Sequence, residues 1–514
     1  MNEGADTSTN GDIDTTAQTS MWGRVDLIAI VVIVVVAGAI RMMGLDHPQE
    51  LIFDETYYAK DACWYVNASE SICDRAADAP EVHPPLGKWL IGVGIRIFGY
   101  DSFGWRISTA IAGTLSVALL YLLARRLFRS TLAAMVASGL LAFDLLHFVQ
   151  SRTSMLDIFI PLFGIAGFYF LLLDRDRLLT SGSSPGPLDR PWRLAAGASL
   201  GAAVATKWSG GLLLMTGLIL TIVWELSARK ERPPAERVRS FLRSEALSIF
   251  LFLIIVPVLV YTLSFAGRIS GSWTTAPWKE GSVARNLWNH HDYMLDFHRN
   301  LTSVHSYQSP SWSWILIKRP VSYWFCSDST DPPCPEPTEP GDYGEVFATG
   351  NPFVWWTSIL ALAFVAYRWL RARRLGGPEG LILAGAFFSY VPWVVLDRPA
   401  VFIFYLLPTI PFMCLALAYV TTRIGRSWEA TAAIGLFTVA TLGLFYFYHP
   451  LLVGKPIPQP DWDKRIWVFD NCDKPVGGPA TSTVTETVGD EVTTRVIETT
   501  SDTSGQPPVG WCWI

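Results

Sequence analysis

Apolar runs long enough to cross a lipid bilayer recur along almost the whole chain, and nothing else in the sequence restricts its architecture as strongly. A helix needs about 20 mostly apolar residues to span a hydrocarbon core of about 30 Å. Such runs lie near residues 25–45, 105–124, 132–149, 154–173, 193–206, 208–227, 246–266, 352–370, 379–396, 401–420 and 429–448. They predict an all-α integral membrane protein with about eleven transmembrane helices. The run at 193–206 is short and meets the next at Lys207-Trp208. Half of all residues are hydrophobic, only 17% are charged, and the mean hydropathy is +0.30, which excludes an ordinary soluble domain.

Basic residues orient such a bundle, because short cytoplasmic loops retain Lys and Arg. They cluster at Arg125-Arg126 with Arg129, at 175–193, at 229–243, at 371–374, and at Arg423 with Arg426. All five clusters fall on one side of an eleven-span thread. The expected topology has a cytoplasmic N-terminus, an outer C-terminus, and outer loops at 46–104 and 267–351. Residues 1–22, polar and without a basic start, read as a disordered cytoplasmic tail, residues 23–450 as the membrane domain, and residues 451–514 as an outer tail.

Six of the seven cysteines fall in segments placed outside, where disulfides persist. Near neighbours suggest Cys63-Cys73, Cys326-Cys334 and Cys472-Cys512; free or metal-bound thiols are the alternative, although CxxC spacing is absent. The outer loop at 267–351 is rich in Trp, Tyr, His and Pro and too short for a large extra domain. Alternating Thr and Val around Gly489-Asp490 read either as a hairpin or as a flexible Thr-rich tail.

The chemistry concentrates in the first outer loop. Asp54-Glu55 follow the first span, and Glu81-Val82-His83-Pro84-Pro85-Leu86-Gly87-Lys88-Trp89 follow in the same loop. A lone outer carboxylate is usually a solvated charge. Here a helix starting at Pro84-Pro85 and dipping into the membrane surface would gather Asp54, Glu55, Glu81 and His83. Arg106, Arg152, Lys207 and Arg398 map to the same outer edge, against the usual distribution of cations. Each either pairs with an acid such as Asp144, Asp157 or Asp397 or stabilises the growing charge of a phosphate leaving group.

These residues carry a family resemblance. Phe53-Asp54-Glu55 with Tyr57, Val82-His83-Pro84-Pro85-Leu86-Gly87-Lys88, Arg106, Arg152 with Leu156-Asp157, and Thr206-Lys207-Trp208-Ser209-Gly210 match in order and spacing. So do His305-Ser306-Tyr307-Gln308-Ser309-Pro310, Gly350-Asn351-Pro352 and Phe404-Tyr405-Leu406-Leu407-Pro408. Over residues 25–450 the chain resembles the protein O-mannosyltransferases, in the short bacterial form without the MIR domain. The resemblance implies a GT-C-type polytopic bundle in the plasma membrane. It also implies transfer of mannose, with inversion, from polyprenyl-phosphate-mannose to Ser or Thr of exported proteins; the partners expected are that lipid donor and unfolded secreted or membrane protein acceptors, with a second subunit or the secretion channel as alternative routes of delivery. Asp54 would be the general base, and Glu55 would orient the base or the acceptor. Arg106, Lys207, Arg152 and Arg398 would serve the donor and its phosphate, and Glu81, His83, Tyr57 and Trp208 would support the acceptor or the loop. Eukaryotic members usually carry Asp where this chain has Glu81.

No metal or other cofactor is expected beyond the lipid-linked donor. A divalent ion on Asp54 and His83 is the lesser alternative, and His290-His291-Asp292 with His298 read as polar anchors rather than ligands. Two rival functions remain open: a GT-C enzyme acting on a lipid or cell-wall glycan, and a polytopic transporter, for which the charges would gather nearer the midplane.

Overall fold

The computed structural model describes residues 22–466, apart from residues 68, 77–80, 181–185, 187, 267–281, 302–304, 306, 329, 331–332, 336–337, 373–375, 397, 399 and 425–426, together with the backbone of a hairpin, Ala480–Val488 paired with Glu491–Thr499. The hairpin reading of the tail therefore holds for the backbone. Residues 1–21, Asp397, Cys472 and Cys512 lie outside the described residues.

The bundle is helical throughout, because in lipid every backbone polar group must be satisfied within its own segment. The membrane-length helices are α1 (Arg24–Met42), α5 (Ser102–Phe128), α8 (Phe159–Thr180), α10 (Gly210–Ala228), α12 (Ala246–Ser264), α14 (Pro352–Ala372), α15 (Pro378–Val395), α16 (Ile410–Thr421) and α17 (Trp428–Leu452). Short 3-10 turns, Leu156–Ile158 and Ile403–Thr409, lead into α8 and α16 and lengthen their spans. Between them lie α2 (Glu55–Asn67), α3 (Glu70–Cys73), α4 (Leu86–Phe98), α6 (Thr131–Ala142), α7 (Leu145–Arg152), α9 (Pro191–Thr206), α11 (Pro234–Ser244) and α13 (Val283–Asn300).

Nine helices among the described residues are long and apolar enough to cross a membrane, ten if α6 and α7, bent by 59°, count as one span. The expected run at 193–206 is the helix α9, whose 16 residues extend about 24 Å at 1.5 Å per residue; it falls below the length of the other spans yet runs from the Arg190–Arg193 network at one end of the bundle to Lys207 at the other. Small residues press α9 against α12: a Cβ on Gly197 would stand 1.7 Å from the Phe252 carbonyl oxygen, so only glycine permits this approach.

Local sequence starts several helices through side-chain caps. Asp101, Ser130, Asp144 and Ser427 each accept from a backbone N–H three residues on, at 2.7–3.3 Å. At the end of the bundle carrying the basic clusters, Arg190 and Arg193 do not face water. Arg193 bonds Glu225 and Glu245 at 2.8 and 2.9 Å, and Arg190 and Asp174 join the same buried network.

On the opposite side the 267–351 loop contains a sheet that its composition concealed. Strands β1 (Val321–Cys326), β2 (Asp342–Ala348) and β3 (Ile457–Pro458) pair antiparallel in that order. The register runs from Val321 opposite Ala348 to Cys326 opposite Gly344, with a bulge at Tyr323. Trp462, in the short helix α18 (Gln459–Asp463), donates its indole N–H to Glu345 on β2 at 2.8 Å. Residues 453–466 thus pack against the 267–351 loop, whereas the sequence reading assigned everything beyond 450 to a tail. The Cys63–Cys73 and Cys326–Cys334 disulfides are both formed, and Cys414 is buried and unpaired.

Candidate active site

Phe53 turns the chain between α1 and α2 through a left-handed conformation, φ 48°, which a bulky residue adopts only when its surroundings hold it. Its ring stacks on Tyr323 at 4.5 Å and meets His305, Phe402 and Phe404 edge-on. The turn separates the two carboxylates that follow. Asp54 stays half-buried at the mouth, where Tyr58, one helical turn on, donates a hydrogen bond to it. Burial pushes the Asp54 carboxyl up to about 6; Lys207 opposes that shift and Asp157 adds to it.

Glu55 is fully enclosed. Arg106 reaches it with Nε and Nη2, both at 2.8 Å, and the backbone N–H groups of Ser154 and Ile52 add donors at 2.7 and 3.1 Å. The rest of the Arg106 guanidinium goes to the carbonyls of Leu45, Pro48 and Glu50. With no exposed surface, Arg106 is committed to this loop and not to an incoming phosphate. Arg152 is committed likewise: it caps the end of α1 by donating to the carbonyls of Arg41, Met43 and Gly44 at 2.9, 2.7 and 2.5 Å.

Lys207, between α9 and α10, is the cation that stands near Asp54. Its Nζ donates to both oxygens of Asp157, at 3.1 and 3.0 Å, and lies 4.5 Å from the centre of the Tyr405 ring. Asp157, Tyr405, Ser209, Leu213, Ser389 and Trp393 line a narrow cleft beside this pair. Its lining mixes the polar groups of Asp157, Ser209, Ser389 and Tyr405 with the apolar Leu213 and Trp393.

The second motif forms the other wall. His83 packs against Tyr58 at 5.9 Å and His298 at 5.3 Å, and burial holds it well below the ordinary imidazole range. Burial and the neighbouring Arg398 bring His298 down to about 4. The His298 ring bridges the Val82 carbonyl and the Arg398 guanidinium, both at 2.9 Å, so both imidazoles are neutral at pH 7. Arg398 is half-buried and its Nε has no hydrogen-bond partner. Trp208 donates to Tyr261, which is bonded to His291.

The arrangement brings Asp54, Lys207, His83 and Arg398 to one mouth through a chain of contacts, but not Glu81. Glu81 belongs to a separate buried cluster, accepting from Tyr65 at 2.5 Å and pairing with Arg75 at 3.2 Å, while Arg75 and Lys88 pair with Asp61. Its role is to hold the start of α4. Tyr57 is 67% exposed and points away from this packing. Among the described residues no three His, Cys, Asp or Glu side chains converge as a metal site, and His290 and His291 pack on Phe265. Tyr58 and Tyr405 are the residues that sequence reading left without a role in the site, while Asp157 is the pairing acid expected for one of the boundary cations, here Lys207. Tyr58 had a usable signal, since position i+4 on a helix shares a face with Asp54.

Residues 31–269 match the family Dolichyl-phosphate-mannose-protein mannosyltransferase, and residues 283–470 match the C-terminal four TMM region of protein-O-mannosyltransferase. The chain is 31% identical over 481 residues to the polyprenol-phosphate-mannose–protein mannosyltransferase of Mycolicibacterium smegmatis strain MKD8, covering 85% of this chain and 91% of that one. It is also 31% identical to the protein of the same name from Mycobacterium tuberculosis strain CDC 1551, covering 81% and 86%. In fold it resembles a chain of the Saccharomyces cerevisiae protein O-mannosyltransferase Pmt1-Pmt2 complex bound to the sugar donor, with a TM-score of 0.69, 15% identity, and coverage of 87% and 93%. Over its membrane bundle and the site built into it, the chain belongs to the dolichyl-phosphate-mannose-protein mannosyltransferases, a family of GT-C-type membrane glycosyltransferases.

Proposed function

We propose that the chain transfers mannose from polyprenyl-phosphate-mannose to Ser or Thr hydroxyls of exported proteins, with inversion, at the outer face of the plasma membrane. The observation that carries the reading is Asp54 itself, a half-buried carboxylate with its affinity for protons raised to about 6, beside Lys207 and its cleft. A carboxylate in that range is ionised at neutral pH and takes a proton more readily than a solvated one. In the reaction the acceptor oxygen forms a bond to the anomeric carbon as the bond from that carbon to the phosphate oxygen breaks. The hydroxyl proton passes to Asp54 and the bonding electrons leave with the phosphate.

Lys207, with Arg398 at the same mouth, balances the charge that develops on the phosphate. Phosphate leaves without a proton from an acid, so one displacement suffices and a second catalytic carboxylate is not required. Glu55 and Arg106 act as positioning residues that fix the loop carrying Asp54, and Arg152 fixes the end of α1. The reading names no cofactor beyond the lipid donor. The Phe53, Tyr323 and His305 side of the mouth suits an extended, unfolded segment emerging from the secretion channel.

The test is transfer of radiolabelled mannose by the purified chain in lipid nanodiscs, with a Ser/Thr-rich peptide, a lipid acceptor and a cell-wall glycan as competing acceptors. Label in the peptide, lost when its Ser and Thr are replaced by Ala, supports the reading. Label in the lipid or glycan alone moves the assignment to a different acceptor class.

A further inference from the structure

Two of the three N–H donors of the Lys207 ammonium are committed to one carboxylate. Both carboxylate oxygens of Asp157 accept from its Nζ, the Tyr405 ring covers another side, and Asp157 is only 2% exposed. A phosphate entering the cleft must therefore draw Lys207 away from Asp157 or share it. The pair as a whole carries no net charge, so the site is less attractive to anions than a lone buried lysine. That matters unequally for the two lipids of the reaction. A sugar-linked phosphodiester carries one negative charge, while the released phosphomonoester carries about −1.5 to −2 at pH 7.

We infer that Asp157 is a positioning residue that competes with the phosphate for Lys207 and so speeds release of the spent polyprenyl phosphate. The inference rests on the proposed reading of Lys207 as the phosphate ligand. Asp157 lines the cleft, where it repels the more highly charged product more strongly than the donor. At an effective dielectric of about 20, one unit charge at a few Å changes an affinity by a factor of ten or more.

The experiment measures product inhibition by a short-chain polyprenyl phosphate, together with KM and kcat for the mannosylated donor, in wild type, Asp157→Asn, Asp157→Glu and Lys207→Ala. Asp157→Asn is expected to bind the product about tenfold more tightly, with kcat reduced and donor KM unchanged or lower. Asp157→Glu, which restores the charge, is expected to return product inhibition toward wild type. A merely structural Asp157 predicts the opposite sign, because a displaced Lys207 would weaken product binding and raise donor KM; that result overturns the inference, as does unchanged product inhibition. Should Asp157→Asn not fold, wild type decides: it must bind the product no more tightly than the donor, and a tenfold preference for product refutes the idea. Product binding that is unaffected in Lys207→Ala would instead overturn the underlying assignment of the phosphate site.

Discussion

Asp54 and Glu55 are adjacent in the chain yet sit in opposite surroundings, and this difference assigns their roles. Glu55 has four donors and no access to an acceptor, whereas Asp54 has the Tyr58 hydroxyl and an open side. Since the base must be ionised, kcat/KM is expected to be half its maximum near pH 6, to level off above neutral pH and to fall as pH drops below 6, which a pH–rate profile with the peptide acceptor measures. Breaking the Arg106–Glu55 pair by Arg106→Ala leaves a buried carboxylate unpaired and is expected to destabilise the fold by about 3–5 kcal/mol. The check is a thermal melt in detergent. Arg106→Lys should recover only part of that loss, because an ammonium cannot span the carboxylate and three carbonyls. The paired carboxylates and the Val82–Lys88 motif were both legible in the sequence. That Arg106 and Arg152 serve backbone carbonyls was not, since a sequence shows cations but not where carbonyl groups point.

At the level of elements, the apolar runs located the helices to within a few residues, because in a bilayer hydropathy and helix formation coincide. The run at 193–206 is the shortest of them, and its Gly and Ala residues let α9 pack closely on α12. The three-stranded sheet was hidden because β1 and β2 are separated by a Pro-rich stretch, and β3 lies more than a hundred residues further on. Only the aromatic and β-branched run at 321–326 signalled a strand. Glu345 is buried in that sheet with one oxygen unpaired, and burial pushes its carboxyl up to about 8. Raised above its ordinary value near 4.5, it favours the folded state most at acidic pH, and that contribution is lost as pH rises toward 8. Glu345→Gln is therefore expected to flatten the dependence of Tm on pH between 5 and 8, and an unchanged slope would assign the dependence to other groups.

For the molecule as a whole, the basic clusters and the site occupy opposite ends of the bundle, so orientation decides which compartment supplies the acceptor. The exposed helix α11 carries Arg237, Arg239 and Arg243 with no buried residue, and α13 lies beside the site. An impermeant maleimide is expected to label Asp292→Cys in intact cells and Arg239→Cys only after lysis; the reverse pattern would invert the topology. The site joins residues from the 46–104 loop, the α9–α10 junction, the three-stranded sheet and the turn before α16, so it exists only when the whole bundle is assembled. Its central claim is that Asp54 removes the acceptor proton. The most direct measurement is mannosyl transfer to a Ser/Thr peptide by Asp54→Asn in nanodiscs, with donor binding determined on the same sample. In this variant kcat is expected to fall about a hundred- to ten-thousand-fold with donor affinity retained, and transfer at the wild-type rate would remove Asp54 from the role of base.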